Sequence, residues 1–138
     1  MKAFDPYLAF NGNCREAMEF YQKAFGGELK IITYGEAPGG NQSGDDKDLI
    51  MHAQLVKDGV TLMASDGMGD NKVTFGSSVS VSLQCSSKEE TDTFFKGLTD
   101  GAKITMPLQD TFWGAYFGML TDKFGIHWLL NYDKPAAQ

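Results

Sequence analysis

The sequence is poor in cysteine, proline and basic residues. Its two cysteines, Cys14 and Cys85, lie far apart and form no Cys-x-x-Cys pair, so neither a disulfide framework nor a zinc ribbon is indicated. The 12 Lys and Arg are outnumbered by 18 Asp and Glu, which gives a formal net charge of −6. This balance argues against nucleic acid as a partner, because phosphate backbones require clustered basic side chains, and it would tolerate a cationic ligand.

Long apolar runs are also missing. No segment approaches the roughly 20 residues that cross a bilayer, and the start of the chain has no apolar core of a secretory signal. We therefore expect a cytoplasmic protein with no membrane partner. A length of 138 residues suits one domain and leaves no room for a separate cofactor domain. The chain has no GxGxxG loop after a strand, no P-loop and no HExxH motif.

The first half contains periodic apolar segments separated by turn signals. Asn13 with Glu16 predicts a helix N-cap and its capping-box partner, and Gly26-Gly27 ends that helix. Asp58-Gly59 predicts a two-residue hairpin. The predicted elements are a strand over 3–10, a helix with the apolar face Ala17, Phe20, Tyr21, Ala24 and Phe25, a strand over 29–34, a polar loop over 35–48, and strands over 49–57 and 60–64.

The second half repeats this order. A strand over 79–85 precedes a helix capped by Ser86-Ser87 with Glu89-Glu90, and strands follow over 104–108, 115–120 and 126–132. At one constant offset, Glu16, Phe20, Tyr21 and Gly27 match Glu90, Phe94, Phe95 and Gly101. The pattern predicts an α+β fold in which β-α-β-β-β occurs twice. We expect a single domain, 1–138, with modules of about 1–66 and 77–134 and a linker over 67–76.

Several motifs resemble one family in order and spacing. They are Tyr7-Leu8-x-Phe10-Asn11-Gly12-Asn13, His52-Ala53-Gln54-Leu55, Asp110-Thr111-Phe112-Trp113-Gly114 and Thr121-Asp122-x-Phe124-Gly125-x-x-Trp128. Together they resemble the PhnB-like branch of the vicinal oxygen chelate superfamily, which includes glyoxalase I, the bleomycin-resistance proteins and the extradiol dioxygenases. The resemblance implies a glyoxalase-like fold whose two modules form a curved mixed-sheet cup, usually completed in a homodimer.

The metal ligands of that superfamily are not reproduced. In its metal-using members, His, Gln or Glu ligands come from the first and last strands of the modules. Here the corresponding positions carry Asp5 or Tyr7, Gln84, and Leu129 or Trp128. The standard triad is absent, so no cofactor is assigned, although a divalent metal ion on non-standard ligands centred on His52 stays open.

His52 and Gln54 are the first ligand-binding candidates. On a strand they share one face with Val56, while Met51, Ala53 and Leu55 share the other. If Met51, Ala53 and Leu55 lie in the core, His52 and Gln54 face a cavity. His52 could then contact a ligand, act as an acid or base, or bind a metal; the alternative is a histidine that only shapes the pocket.

The remaining candidates are aromatic residues on or beside the last two strands: Trp113, Tyr116, Phe117 and Trp128. They could line an apolar pocket or stack on a flat or cationic ligand, and the alternative is a place in the core or in a dimer interface. His127 is interpreted as surface or interface. The loop over 35–48 could close over the cavity, with a disordered connector as the alternative.

These observations predict a small cytoplasmic homodimer that binds a small organic molecule in an aromatic-lined cavity, as the bleomycin-resistance proteins do. The alternative is a metal-dependent lyase, transferase or dioxygenase that uses His52 and Gln54, with Asp5 or Tyr7. Members of this branch are sometimes labelled methyltransferases, but the chain has no glycine-rich nucleotide loop to hold a methyl donor. No catalytic residue is assigned.

Overall fold

A computed structural model describes residues 1–37, 45–67 and 72–136, and it divides the chain into two units, Met1–Thr74 and Phe75–Gln138. The first unit contains β1 (Tyr7–Phe10), α1 (Cys14–Phe25), β2 (Glu28–Thr33), a 3₁₀ helix (Asp45–Asp48), β3 (Ile50–Lys57) and β4 (Val60–Asp66). The second contains β5 (Val81–Gln84), α2 (Lys88–Leu98), β6 (Lys103–Asp110), β7 (Ala115–Thr121) and β8 (His127–Asp133). The α+β class and the repeated β-α-β-β-β order are confirmed.

The first unit is a mixed four-stranded sheet in the order β1-β4-β3-β2. Strand β1 runs parallel to β4, and the other neighbours are antiparallel. The hairpin between β3 and β4 is the predicted one: Asp58 and Gly59 both have positive φ, 52° and 79°, which is the backbone that a two-residue turn between right-twisted strands needs.

Helix α1 covers one face of this sheet. Its buried side chains are Cys14, Ala17, Met18, Tyr21, Ala24 and Phe25. They recur with the helical period and pack with Ala53 and Leu55 of β3 and Leu62 and Ala64 of β4, which are buried as well. The alternation predicted for β3 is confirmed from His52 to Val56, where Ala53 and Leu55 are buried and the other side chains are only half-buried. It is wrong for Met51, which is half-buried while Ile50 is buried, beside a register shift between β2 and β3.

The start of α1 differs from the prediction. Asn13 occupies the N-cap position, but its side chain makes no capping hydrogen bond. The buried carboxylate of Asp66, at the end of β4, instead accepts hydrogen bonds from the backbone N–H groups of Gly12 and Cys14, at 2.9 and 3.0 Å. The predicted capping hydrogen bond of Asn13 is therefore not formed, and a distant carboxylate binds the backbone on either side of Asn13 instead.

The second unit has the corresponding sheet, in the order β5-β8-β7-β6, with β5 parallel to β8. Its helix begins as predicted. The Ser87 hydroxyl accepts from the N–H of Glu90 at 3.0 Å, and the Glu90 carboxylate accepts from the N–H of Ser86 at 2.9 Å. Helix α2 buries Phe95 and Leu98.

Other differences lie at chain ends and loops. The first strand begins at Tyr7 rather than at residue 3, directly after Pro6, which lacks the N–H that a strand donates. Half of the predicted polar loop over 35–48, namely residues 38–44, lies outside the described residues, as do residues 68–71 of the predicted linker. The described ends of the loop are joined by hydrogen bonds from Tyr34 N–H to the Leu49 carbonyl and from Gly35 N–H to the Lys47 carbonyl. No helix in the described ranges is long and apolar enough to cross a membrane.

Candidate functional site

The sheet of the first unit has one face that α1 does not cover, which we call the first open face. Tyr7 of β1, His52 and Gln54 of β3, and Met63 of β4 lie on it, as strand alternation and register require. The Tyr7 hydroxyl and His52 Nδ1 form a hydrogen bond of 3.1 Å, and the two ring centroids are 5.7 Å apart. Two polar aromatic side chains from strands far apart in sequence are therefore paired on this face.

Apolar neighbours surround this pair. Ile32 of β2 lies opposite His52, and Met63 lies opposite both Gln54 and Tyr7. Tyr7 is 50% exposed and His52 is half-buried, so solvent reaches the pair. An imidazole, a phenol and an amide set among apolar side chains supply few, directed hydrogen-bonding groups on an apolar surface, which is the composition of small-molecule sites.

The first open face offers few ligands to a divalent metal ion. Zinc and iron centres in proteins usually have three or more His, Cys, Asp or Glu ligands. Among the described residues, no three such side chains come together. His52 has Gln54 on the same face, and its Nδ1 already bonds the Tyr7 hydroxyl. The residues of the first open face do not fit a standard metal centre.

The second unit places Phe117 on the sheet face opposite α2. In register, Phe117 lies between Gln109 of β6 and Asn131 of β8. The Asn131 amide donates at 2.8 Å to the side-chain oxygen of Gln84 on β5. Phe117 is therefore an aromatic ring flanked by amide side chains.

Trp113 lies in the turn between β6 and β7, beside Phe117. Its ring centroid is 6.2 Å from that of Phe117, at an interplanar angle of 66°, and 5.0 Å from that of Phe112, at 90°. Phe112 is 98% exposed and Trp113 is 58% exposed. We call these three rings the aromatic corner. It brings together two of the four aromatic candidates.

Tyr116 lies on the opposite face of the sheet from Phe117. Its hydroxyl donates to the Asp92 carboxylate on α2 at 2.6 Å, and Lys88 Nζ lies 4.9 Å from the centre of its ring. The hydrogen bond to Asp92, with burial as the second cause, raises the pKa of Tyr116 to about 12. Tyr116 therefore faces α2. Its hydroxyl is hydrogen-bonded to Asp92, and Lys88 lies over its ring.

Trp128 occupies the same helix-facing side, where Leu120 is its register partner. It is 1% exposed, and its indole N–H donates to the buried Asp122 carboxylate at 2.8 Å. Trp128 is therefore a core residue, which is one of the alternatives to ligand binding that the sequence left open. His127, on the other face, is fixed by Thr121 Oγ1 at 2.7 Å and by the Gly76 carbonyl at 2.8 Å. Because a carbonyl only accepts, Nε2 of His127 carries the proton.

Three groups at or near these sites were not singled out from the sequence. Tyr7 was considered only as a metal ligand, and its partner His52 is 45 positions away, so no local pattern pairs them. Phe112 precedes Trp113 between two predicted strands, and two adjacent aromatic residues in such a segment are an available signal. The buried carboxylates Asp66 and Asp122 sit at the ends of strands, where sequence alone does not distinguish capping from solvent exposure.

Comparison with known proteins gives the following similarities. Residues 2–131 match the family model described as 3-demethylubiquinone-9 3-methyltransferase. Protein YjdN of Escherichia coli K12 is 36% identical over 94% of each chain. The crystal structure of protein PA1353 from Pseudomonas aeruginosa is 41% identical, covers 98% of this chain and 100% of that one, and has a TM-score of 0.86.

Two further solved structures extend the comparison. A Bacillus cereus protein described as a 3-demethylubiquinone-9 3-methyltransferase, PhnB protein, is 30% identical, covers 95% of this chain and 99% of that one, and has a TM-score of 0.73. A glyoxalase/bleomycin resistance protein/dioxygenase family enzyme from Burkholderia phytofirmans PsJN is 16% identical over 92% and 96% of the chains, with a TM-score of 0.62. The second likeness concerns the fold alone.

Proposed function

The chain belongs to the PhnB-like family described as 3-demethylubiquinone-9 3-methyltransferase, within the glyoxalase/bleomycin resistance superfamily, and on that premise we propose that it binds a small organic molecule. The observation that supports the proposal is the Tyr7–His52 pair on the first open face. The fold by itself does not give the function, since one fold supports many chemistries.

The pair defines what His52 would offer a ligand. When the Tyr7 hydroxyl donates to Nδ1, the neutral imidazole carries its proton on Nε2. His52 then donates a hydrogen bond from Nε2 to an oxygen of the ligand, while the Gln54 amide can both donate and accept. Ile32 and Met63 supply apolar contacts beside these groups. Tyr7 is a positioning residue in this arrangement.

The aromatic part of the proposal rests on Trp113 and Phe117. Both rings are accessible in their unit, whereas Tyr116 faces α2 and Trp128 is in the core with its N–H engaged. We therefore retain His52, Gln54, Trp113 and Phe117 as binding residues. The cytoplasmic location expected from the sequence and the homodimer that the resemblance implies are part of the same proposal.

Methyl transfer is not proposed, although the family description names it. A methyl donor with a nucleotide portion is held in comparable enzymes by a glycine-rich loop between a strand and a helix. In this chain the segment between β1 and α1 reads Asn11-Gly12-Asn13, and Asp66 already accepts from its N–H groups. The N–H groups of Gly12 and Cys14 are therefore already bonded to a carboxylate and are not available to a methyl donor.

Two histidines make a direct test possible, because His127 is held by Thr121 and Gly76 and serves as an internal control. The imidazole signals are followed by NMR during titration with pyruvate, nicotinamide and a set of small ketones and amides. We expect at least one compound to shift the His52 signals saturably and leave those of His127 in place. Tyr7→Phe should weaken that compound about threefold to tenfold, as loss of one hydrogen bond of about 1 kcal/mol does.

A second experiment separates small-molecule binding from the metal-dependent alternative. Calorimetric titration with Ni²⁺, Zn²⁺, Mn²⁺ and Fe²⁺ is carried out on the wild type and on His52→Ala. The proposal expects no site tighter than about 0.1 mM, which corresponds to about 5.5 kcal/mol. A tight site that disappears in His52→Ala would support the alternative. If no compound moves the His52 signals in the wild type, the proposed site is wrong.

A further inference from the structure

The aromatic corner leaves ring faces open that elsewhere in the second unit are occupied by lysines. Lys88 lies over the ring of Tyr116 at 4.9 Å, and Lys123 lies over the ring of Phe124 at 5.4 Å. Among the described residues, no such contact covers Phe112 or Trp113, whose rings are 98% and 58% exposed. An aromatic face carries negative quadrupole charge that attracts a cation within about 6 Å.

The three rings are packed edge to face rather than stacked. Phe112 and Trp113 meet at 90°, and Trp113 and Phe117 meet at 66°. In an edge-to-face pair the edge of one ring covers one face of the other, so the remaining ring faces of the pair are not covered by the partner ring and can attract a cation. A stacked pair would offer only its two outer faces.

The charges near the corner are compatible with a cation. Lys134 could reach this hairpin, since its N–H donates to the Gly114 carbonyl, but its ammonium is paired with Asp110 at 3.0 Å. The chain carries a formal charge of −6, which raises the local concentration of cations. A neutral ligand would gain nothing from the neutralised ammonium of Lys134 or from the net negative charge.

We propose that the aromatic corner of Phe112, Trp113 and Phe117 binds a small organic cation, of the quaternary ammonium type. The inference rests on the proposed function only because Trp113 and Phe117 belong to its binding residues. It names a chemical class for the part of the ligand that they contact. It requires nothing of the Tyr7–His52 pair, so the two can fail separately.

The two tryptophans supply the readout. The indole N–H signals of Trp113 and Trp128 are followed by NMR, and Trp128 is the internal control because it is buried and bonded to Asp122. Choline chloride is the probe, sodium chloride keeps the ionic strength constant, and 3,3-dimethylbutan-1-ol is the neutral molecule of the same shape. We expect choline to move the Trp113 signal saturably, and the alcohol to bind at least about threefold more weakly.

Matched substitutions complete the test. Phe112→Leu and Phe117→Leu keep an apolar side chain and remove the ring, and each should weaken choline about threefold. Phe112 is almost fully exposed, so its substitution does not threaten the fold. Phe4→Leu, also exposed but in the first unit, should change nothing.

A Trp113 signal unmoved by choline, equal shifts with the alcohol, or unchanged affinity in both ring variants would each overturn the proposal. The His52 signals in the same sample report on the proposed function independently.

Discussion

Cys14 is fully buried in the first turn of α1, on the side of the first sheet that faces away from His52. Burial is the largest cause that raises the pKa of this thiol to about 12, the Asp66 carboxylate raises it further, and Arg15 opposes both. The thiol is therefore protonated at neutral pH. A nucleophilic Cys14–His52 pair is incompatible with this position, because the sheet lies between the two side chains.

The same pKa predicts an alkaline instability. The folded state holds the Cys14 proton more tightly than the unfolded chain, whose thiol has the ordinary value of 9.0. Stability is therefore complete below about pH 9 and falls as the pH rises toward 12, by up to about 1.4 kcal/mol per pH unit from this group. Cys14→Ala removes this contribution. Urea unfolding at pH 7 and pH 10.5 should show a smaller loss in Cys14→Ala than in the wild type.

Cys85 is the comparison residue for that experiment. It is half-buried, and burial raises the pKa of its thiol as well, while Thr91 lowers it through a hydrogen bond. Cys85→Ala should reduce the alkaline loss less than Cys14→Ala does. Equal losses in the wild type and in Cys14→Ala would show that the thiol ionises as readily in the folded state as in the unfolded chain, so that its pKa is not raised by folding.

The two helices begin by different means although their units share one topology. Helix α2 uses a local capping box, Ser87 with Glu90, which sequence spacing reveals. Helix α1 uses Asp66, whose two oxygens accept from the N–H groups of Gly12, Cys14 and Ile50. The second arrangement also ties the starts of α1 and β3 to the end of β4, so one buried carboxylate organises three elements.

We therefore predict unequal costs when the caps are removed. Asp66→Asn replaces one accepting oxygen by a donor that opposes buried N–H groups, and it should lower the free energy of unfolding by about 3 kcal/mol. Ser87→Ala should cost about 1 kcal/mol. Denaturant unfolding at pH 7 measures both. Asp133→Asn is the control, because Asp133 is also the last residue of the final strand in its unit but is exposed, and it should cost almost nothing. Similar losses for Asp66→Asn and Asp133→Asn would contradict the capping role.

Strand patterns were informative where only one face is apolar. In β3, polar His52 and Gln54 alternate with Ala53 and Leu55, so the sequence predicts which side is buried. In β7, Tyr116 and Phe117 are both aromatic and the following residues are apolar on both faces, so alternation does not identify the core side. The side is set by α2, which contacts Gly118 through Phe95 and receives the Tyr116 hydroxyl at Asp92.

At the scale of the whole chain, the repeat predicted two modules with the same order of helix and strands, and both have it. The matching strand orders of the two sheets are a finding of the structure. The candidate sites were predictable only in part, because each depends on a long-range pairing. His52 follows from its strand, but its hydrogen bond to Tyr7 depends on β1 joining β4 in parallel. Trp113 follows from its motif, but its near-perpendicular arrangement with Phe112 and Phe117 depends on how the hairpin closes.

Net charge is a property of the whole molecule, and it leads to a prediction about salt. At −6 the chain attracts cations over distances set by the Debye length, which is about 30 Å at 0.01 M ionic strength and about 8 Å at 0.15 M. Choline binding at the aromatic corner should therefore weaken, by about twofold or more, when sodium chloride is raised from 10 to 150 mM. Binding of 3,3-dimethylbutan-1-ol should not change, because it carries no charge.

The dissociation constant of choline at each salt concentration comes from the Trp113 indole signal, with Trp128 as the reference. Asp58→Asn removes one charge at the β3–β4 turn, in the other unit, and asparagine tolerates the positive φ found there. This variant should bind choline with a slightly smaller salt dependence than the wild type and with the same ring contacts. If choline affinity is independent of salt while Phe112→Leu still weakens it, the attraction comes from the ring faces alone, and the net charge has no part in it.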